Sequence, residues 1–167
     1  MIGKLGKVCL CLLLTALSCA GKSDQQMIQE MVDRIGELAE KRDAAGLTAC
    51  LDEGYVDFEG RDKAATAEMV SDYFSRYRGI VIHVLSTRIV AIDSGSAAIQ
   101  SEVVISSGTA EAFRKLVRFV GEYYRFTCRL VKRDGDWLVS SAEWQTVETG
   151  DLFPESLRIL RSIFPDL

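Results

Sequence analysis

Hydrophobic and polar positions divide this chain into three stretches with different periods. Val8–Leu17 is apolar with Thr15 as its only polar interruption. From Ile28 the apolar positions Ile28, Met31, Val32, Ile35, Leu38 and Ala39 recur at helical spacing. Gln29, Glu30, Asp33, Glu37 and Glu40 occupy the other face, so an amphipathic helix is predicted over Asp24–Arg42. Ser23 followed three residues later by Gln26 matches a capping box at its start. A brief second helix is predicted over Ala44–Leu51, and a third from an Asp62 cap to about Arg78, with Ala65, Met69, Tyr73 and Tyr77 as its stripe. Residues 52–60 between them fit a loop or a small strand pair.

From Gly79 the period becomes two and β-branched residues dominate. Ile80–Asp93 is a predicted strand, stopped by Asp93-Ser94-Gly95. On the next, Ala97, Ile99, Ser101, Val103 and Ile105 face one way, and Gln100 and Glu102 the other. Residues 109–115 fit no period. A long strand over Leu116–Lys132 changes the parity of its apolar face near Gly121, from Val117 and Phe119 to Tyr124, Phe126, Cys128 and Leu130, which predicts a bulge. Asp134-Gly135 marks a tight hairpin, and Trp137–Val147 the closing strand. A last helix is expected around Pro154, with Leu157, Leu160, Ile163 and Phe164 as its stripe. Helices first and antiparallel strands afterwards give an α+β class, a curved sheet wrapped around helices.

The first residues give a destination. Lys4 and Lys7, with no acid, precede the Val8–Leu17 run, which suits a signal peptide and is too short for a permanent membrane span. Ala16-Leu17-Ser18-Cys19 resembles the bacterial lipobox. Ser18 is small, as the pattern wants; Ala16 stands where Leu is commonest, and Leu17 is bulky for its place. The resemblance implies cleavage before Cys19 and acylation (palmitate) of that residue, the anchor of a membrane lipoprotein. Ala20 follows, not Asp, a pattern that in enteric bacteria resembles sorting to the outer membrane, facing the periplasm, over the inner membrane. An ordinary secretory signal cut near Ala20 and an uncleaved anchor are the alternatives. The organisation expected is a signal peptide over 1–18, a lipidated tether over 19–23, a domain over 24–149 and a helical extension over 150–167.

Composition removes several classes of activity. The formal charge is −4 and becomes more negative once Lys4 and Lys7 are removed, so no footprint for nucleic acid exists. Beyond Cys19 lie Cys50 and Cys128; an oxidising envelope permits a disulfide between them, and a buried thiol at each is the plainer reading. Their spacing and the single histidine, His83, match no zinc pattern, and no cofactor is implied.

The order of elements and three stretches of sequence carry a second resemblance. These are the Asp24–Arg42 helix, Tyr55-Val56-Asp57-Phe58 and the hairpin running from Tyr124 through Asp134-Gly135 to Val139. Together they resemble the NTF2-like (SnoaL-like, cystatin-like) superfamily, whose fold is a cone of curved sheet around helices. The resemblance covers roughly residues 24–147; the lipid signal and the helix after Phe153 depart from it. It implies an interior that some relatives use for isomerase, cyclase or dehydratase chemistry, and others for binding or dimerisation without catalysis.

Candidate pocket residues follow, each with a plainer alternative. His83 is the one side chain with an ordinary pKa near neutrality; it sits mid-strand beside Val81, Leu85 and Ile89, where a structural histidine is the simpler account. Asp57 is a candidate pocket acid, though a loop carboxylate or cap is the simpler role. Tyr55, Tyr73, Tyr124 and Trp144 are candidates to line the cone, and aromatic residues at these spacings commonly form core. Lys132, Arg133, Asp134 and Asp136 read as a solvated turn. No residue is assigned as catalytic. The reading favoured is a non-catalytic, membrane-anchored envelope protein binding a small apolar ligand or a protein partner, with a homodimer allowed. A small isomerase or dehydratase and an envelope assembly factor are the alternatives.

Overall fold

The structure, a computed structural model, describes residues 21–77, 79–107 and 121–148. The signal and lipobox with Cys19, strand residues 116–120 and the helix expected after Phe153 lie outside the described residues. Three helices, α1 (Asp24–Glu40), α2 (Ala44–Ala49) and α3 (Lys63–Arg76), precede four strands, β1 (Ile80–Ile92), β2 (Ser96–Ser107), β3 (Glu122–Arg133) and β4 (Asp136–Thr146). The strands form one antiparallel sheet in the order β1-β2-β3-β4. It is the α+β arrangement the sequence predicts, with element ends within two residues of expectation wherever both are described.

Local chemistry explains the boundaries. Ser23 accepts from the Gln26 backbone while the Gln26 side chain accepts from Ser23 N–H, closing the capping box of α1. Asp43 and Asp62 cap the next two helices, each side chain accepting from a backbone N–H three residues on, at Gly46 and Ala65. Arg42, in the left-handed region at φ 55°, donates to the carbonyls of Phe74 and Tyr77 at the end of α3. In the β3–β4 turn, Asp134 (φ 51°) and Gly135 (φ 96°) both take the positive φ that a tight right-twisted hairpin requires.

Packing corrects two details. The buried stripe of α3 is Thr66 and Phe74, with Val70 partly buried, one position on from the expected stripe; Tyr73 and Tyr77 stand exposed. A bulge between Val84 and Ser86 shifts the phase of β1, so Ile89 turns inward opposite Ile99 and does not share a face with His83. The parity change expected at Gly121 depends on residues outside the described ones; at Gly121 itself a Cβ would lie 2.5 Å from Ser106 Oγ and 2.7 Å from the Ile105 carbonyl oxygen, so only glycine permits the approach.

The core lies between α1 and the inner sheet face. Ile28, Met31, Val32, Tyr55, Ala97, Ile99, Leu130, Trp137 and Val139 form its main body. The segment after α2 closes the β4 side. Asp52, Val56 and Phe58 donate backbone N–H to Val139, Ser140 and Ala142, making an irregular fifth strand. Asp134 and Asp136 of the hairpin are exposed, as a solvated turn requires, but its flanks are tied down: Lys132 and Trp137 Nε1 both donate to Asp24 of α1, and Arg133 Nε donates to Asp52, after α2, at 3.1 Å. Each buried core side chain of this size contributes about 1.5–3 kcal/mol.

Candidate functional site

Inside the sheet, α1 and the inner strand faces leave a cavity of about 130 Å³. Met31, Val32, Ile35 and Gly36 line it from α1. Ile82, Val84, Ile99, Val103, Ile105, Phe126, Cys128 and Val139 line it from the sheet. The gap follows from sequence: Gly36 has no side chain where α1 crosses β1, and its Cα faces Ile82 and Val84. Every lining group is apolar apart from the Cys128 thiol, whose pKa burial pushes up to about 12.

The six residues picked from sequence fall into three places. Tyr55, Asp57 and Trp144 come together. Tyr55 is 2% exposed, and burial, then the charges of Asp57 and Cys128, raise its pKa to about 12. Asp57 is buried, and both its oxygens are occupied. Oδ1 accepts from the backbone N–H groups of Glu59 and Arg61, each at 2.9 Å, and Oδ2 from Arg61 Nε at 2.7 Å. Burial works to raise its pKa, but these donors outweigh it and hold the carboxyl below the ordinary range. A carboxylate so engaged is a turn anchor and a poor proton acceptor.

Arg61 is the residue that sequence reasoning missed. It pairs with Asp57 and Glu59, and its guanidinium lies over the Trp144 ring at 5.3 Å. Phe58 meets the same ring edge-on at 4.7 Å, and Phe126 lies 6.1 Å from it. The Asp57–Arg61 spacing of four residues was the available local signal. Trp144 supplies the rest from 83 positions away, which no local pattern reports.

Tyr73 and Tyr124 form a second group with Tyr77 and Glu122. The Tyr73 and Tyr77 rings are 4.6 Å apart, and the Tyr124 hydroxyl donates to the Glu122 carboxylate. Burial first, then Glu122, raises Tyr124 to about pKa 12. His83 stands apart. Ile82 and Val84 face α1, so alternation puts His83 on the outer face of β1, across from Val104. On that face Val81 and Val104 are fully buried beside it, and farther along the strands the face is polar: Arg88 pairs with Gln100 and Arg125 with Glu102.

Cys50 and Cys128 are both free thiols, so the permitted bridge is not formed. The Cys50 thiol donates to the Gly46 carbonyl at 3.5 Å, while Cys128 lines the cavity. Among the described residues no three His, Cys, Asp or Glu side chains cluster as a metal site, and no helix is long and apolar enough to cross a membrane. Neither Asp57 nor His83 lines the cavity.

No family model matches this chain, and no curated protein matches it in sequence. Solved structures do match in shape. A candidate scytalone dehydratase from Novosphingobium aromaticivorans is similar with a TM-score of 0.63 at 17% identity, over 75% of this chain and 85% of that one. A candidate dehydratase from the NTF2-like family of Streptomyces avermitilis gives 0.62 at 14% identity, over 75% and 98%. A protein of unknown function with a cystatin-like fold from Nostoc punctiforme gives 0.60 at 14% identity, over 75% and 92%. At such identities the likeness is one of architecture, and the architecture of this chain is the NTF2-like, or cystatin-like, fold.

Proposed function

We propose that this chain is a lipid-anchored protein of the bacterial envelope whose cone is a non-catalytic module binding a small apolar ligand. The apolar cavity carries the reading. A cavity of about 150 Å³ lined by Leu, Ile and Phe stays dry and takes up benzene, and this one, at about 130 Å³, has the same kind of wall. A wall without polar groups favours an apolar guest because it offers water no hydrogen-bond partner. Catalysis of the isomerase or dehydratase type needs a proton acceptor facing the guest. Asp57 has both oxygens engaged elsewhere, and His83 belongs to the outer sheet face. The dehydratase names of two similar structures favour the enzyme reading, and the position of these two side chains weighs against it.

Two experiments test the proposal. In a methyl-labelled sample titrated with benzene, saturable shifts are expected for Ile82, Ile99 and Ile105 and not for the exposed Ile92. Uniform or absent shifts would remove the ligand-binding reading. For the anchor, membrane-extracted protein is weighed intact beside Cys19→Ala. A di- or triacyl mass adduct lost in the variant is expected; an unmodified soluble wild type would end the lipoprotein reading.

A further inference from the structure

Outside the cone, a cleft of about 500 Å³ opens between the first half of α1 and the start of β4. Met27 and Met31 of α1 and Trp137 of β4 give it an apolar floor. Its rim is charged. Lys22 pairs with Glu30 at 2.6 Å. Arg34 on the α1 wall and Asp136 on the β4 wall are exposed, and neither side chain has an ion-pair or hydrogen-bond partner among the described residues. Burial raises the pKa of the Cys50 thiol, which also lines the cleft, and the nearby Arg34 charge works against it, so the guanidinium lies over this space.

The position of the cleft along the chain gives it a neighbour. Only Ala20 and Gly21 separate Cys19 from Lys22. An extended chain covers about 3.6 Å per residue, so Lys22 stays within about 11 Å of Cys19. The head-group layer on each side of a bilayer is about 5–7 Å deep. With Cys19 acylated, the rim of the cleft therefore stands at most about 6 Å above that layer. The β3–β4 hairpin is held at the same end, since Lys132 and Trp137 both donate to Asp24. The other end is fixed too. The 17 residues of α1 span about 25 Å, and beyond its close Arg42 holds the carbonyls of Phe74 and Tyr77.

We propose that this cleft receives the head group of a zwitterionic phospholipid of the anchoring bilayer, with the phosphate at Arg34 and the ammonium at Asp136. The start of α1 and the hairpin then face the lipid, and the Tyr73–Tyr77 end faces away. The proposal rests on the lipid-anchor reading. Charge selects the head group. The Lys22–Glu30 pair is neutral as a unit, which leaves one unpaired cation and one unpaired carboxylate on opposite walls. A guanidinium donates two parallel N–H bonds to a phosphate, and an ammonium donates to a carboxylate. A head group with a phosphate and no ammonium would leave the Asp136 carboxylate facing a second anion. The two methionines supply a floor that adapts to the glycerol and the first methylenes. The tether supplies the rest: it holds the cleft at the lipid surface, where a high effective concentration keeps weak contacts occupied.

The test uses membrane-extracted protein whose acyl mass has been verified, labelled at its Met and Ile methyls and placed in phosphatidylglycerol nanodiscs with rising fractions of phosphatidylethanolamine. The Met27 and Met31 methyls are expected to shift saturably with that fraction. Met69 of α3, which does not line the cleft, should stay still. Arg34→Gln and Asp136→Asn should each raise the fraction at half-saturation about fivefold. Both side chains are exposed and unpaired, so neither variant should lower the melting temperature. A spin label on the lipid head group should broaden Met27 most and leave Ile80, which packs with Ala39 near the far end of α1, sharp. Met27 and Met31 signals indifferent to phosphatidylethanolamine, with both variants silent, would overturn the head-group site. Stronger broadening at Ile80 than at Met27 would overturn the orientation and the proposal with it. An acylated protein that fails the lipid series sinks this inference alone; an unacylated wild type would bring down the anchor reading and this inference together.

Discussion

Two aromatic clusters on this domain use similar residues to different ends. Around Trp144, the carboxylate of Asp57 is buried and fixed by two backbone N–H groups and Arg61, all within four residues of sequence. Around Tyr124, the rings of Tyr73 and Tyr77 are 39% and 38% exposed, and a side-chain bond to Glu122 supplies the polar contact. The first is held by donors that the backbone cannot withdraw; the second is held by rings that water already touches. Burial with satisfied bonds makes a group structural, so the acid that looked most like a catalyst is the one least free to act.

The widest separation between the clusters is expected from Asp57→Ala. It strips a mostly buried guanidinium of its main partner and frees two backbone N–H groups, and should cost about 3 kcal/mol in urea unfolding. A loss no larger than that of a surface substitution would erase the distinction. A part of the same effect should appear on acidification. The folded-state pKa of Asp57 lies below its unfolded value, so its contribution is complete above the unfolded pKa, near 4, and is lost as pH falls through the lower folded value. Wild type should therefore lose stability below pH 4 more steeply than Asp57→Asn; parallel curves would contradict the assignment.

Between the clusters, Gly36→Ala places a methyl at 3.8 Å from Ile82 Cγ2 and 3.9 Å from Val84 Cγ2, ordinary contact distances. It should stabilise α1 by about 1 kcal/mol and shrink the cavity, raising the melting temperature while weakening benzene binding. Higher stability with unchanged binding would mean that the guest sits elsewhere. The smallest change is expected from Tyr77→Ala, about 0.5 kcal/mol, because the ring is partly in water and loses chiefly its contact with Tyr73.

What could be read from sequence follows the same division. The capping box at Ser23, the Asp62 cap and the Asp134-Gly135 turn are local devices, visible within four residues, and all three form. The inner faces of β2 and β3 were visible because they keep strict alternation. His83 was assigned company it does not keep, because the bulge after Val84 is a property of the β1–β2 pairing and leaves no mark on composition. The α3 stripe slipped by one position because aromatic Tyr73 and Tyr77 outweighed small Thr66 as core candidates. Arg61 escaped for a related reason: a charged residue in a turn reads as solvent-facing until Trp144 is laid under it.

The two margins of the sheet were finished differently. The β4 margin has the Asp52–Phe58 segment bonded along it, while β1 has no second strand paired with it among the described residues, and its Ile82 N–H donates to the Glu40 carboxylate. That border is interrupted twice, after Val84 and after Ile89, and an interrupted border offers no long straight run of donors and acceptors to a passing strand. The two irregularities that hid the orientation of His83 thus also act as a guard against fibrous self-association, and a variant that ironed them out should be sought first among those that precipitate.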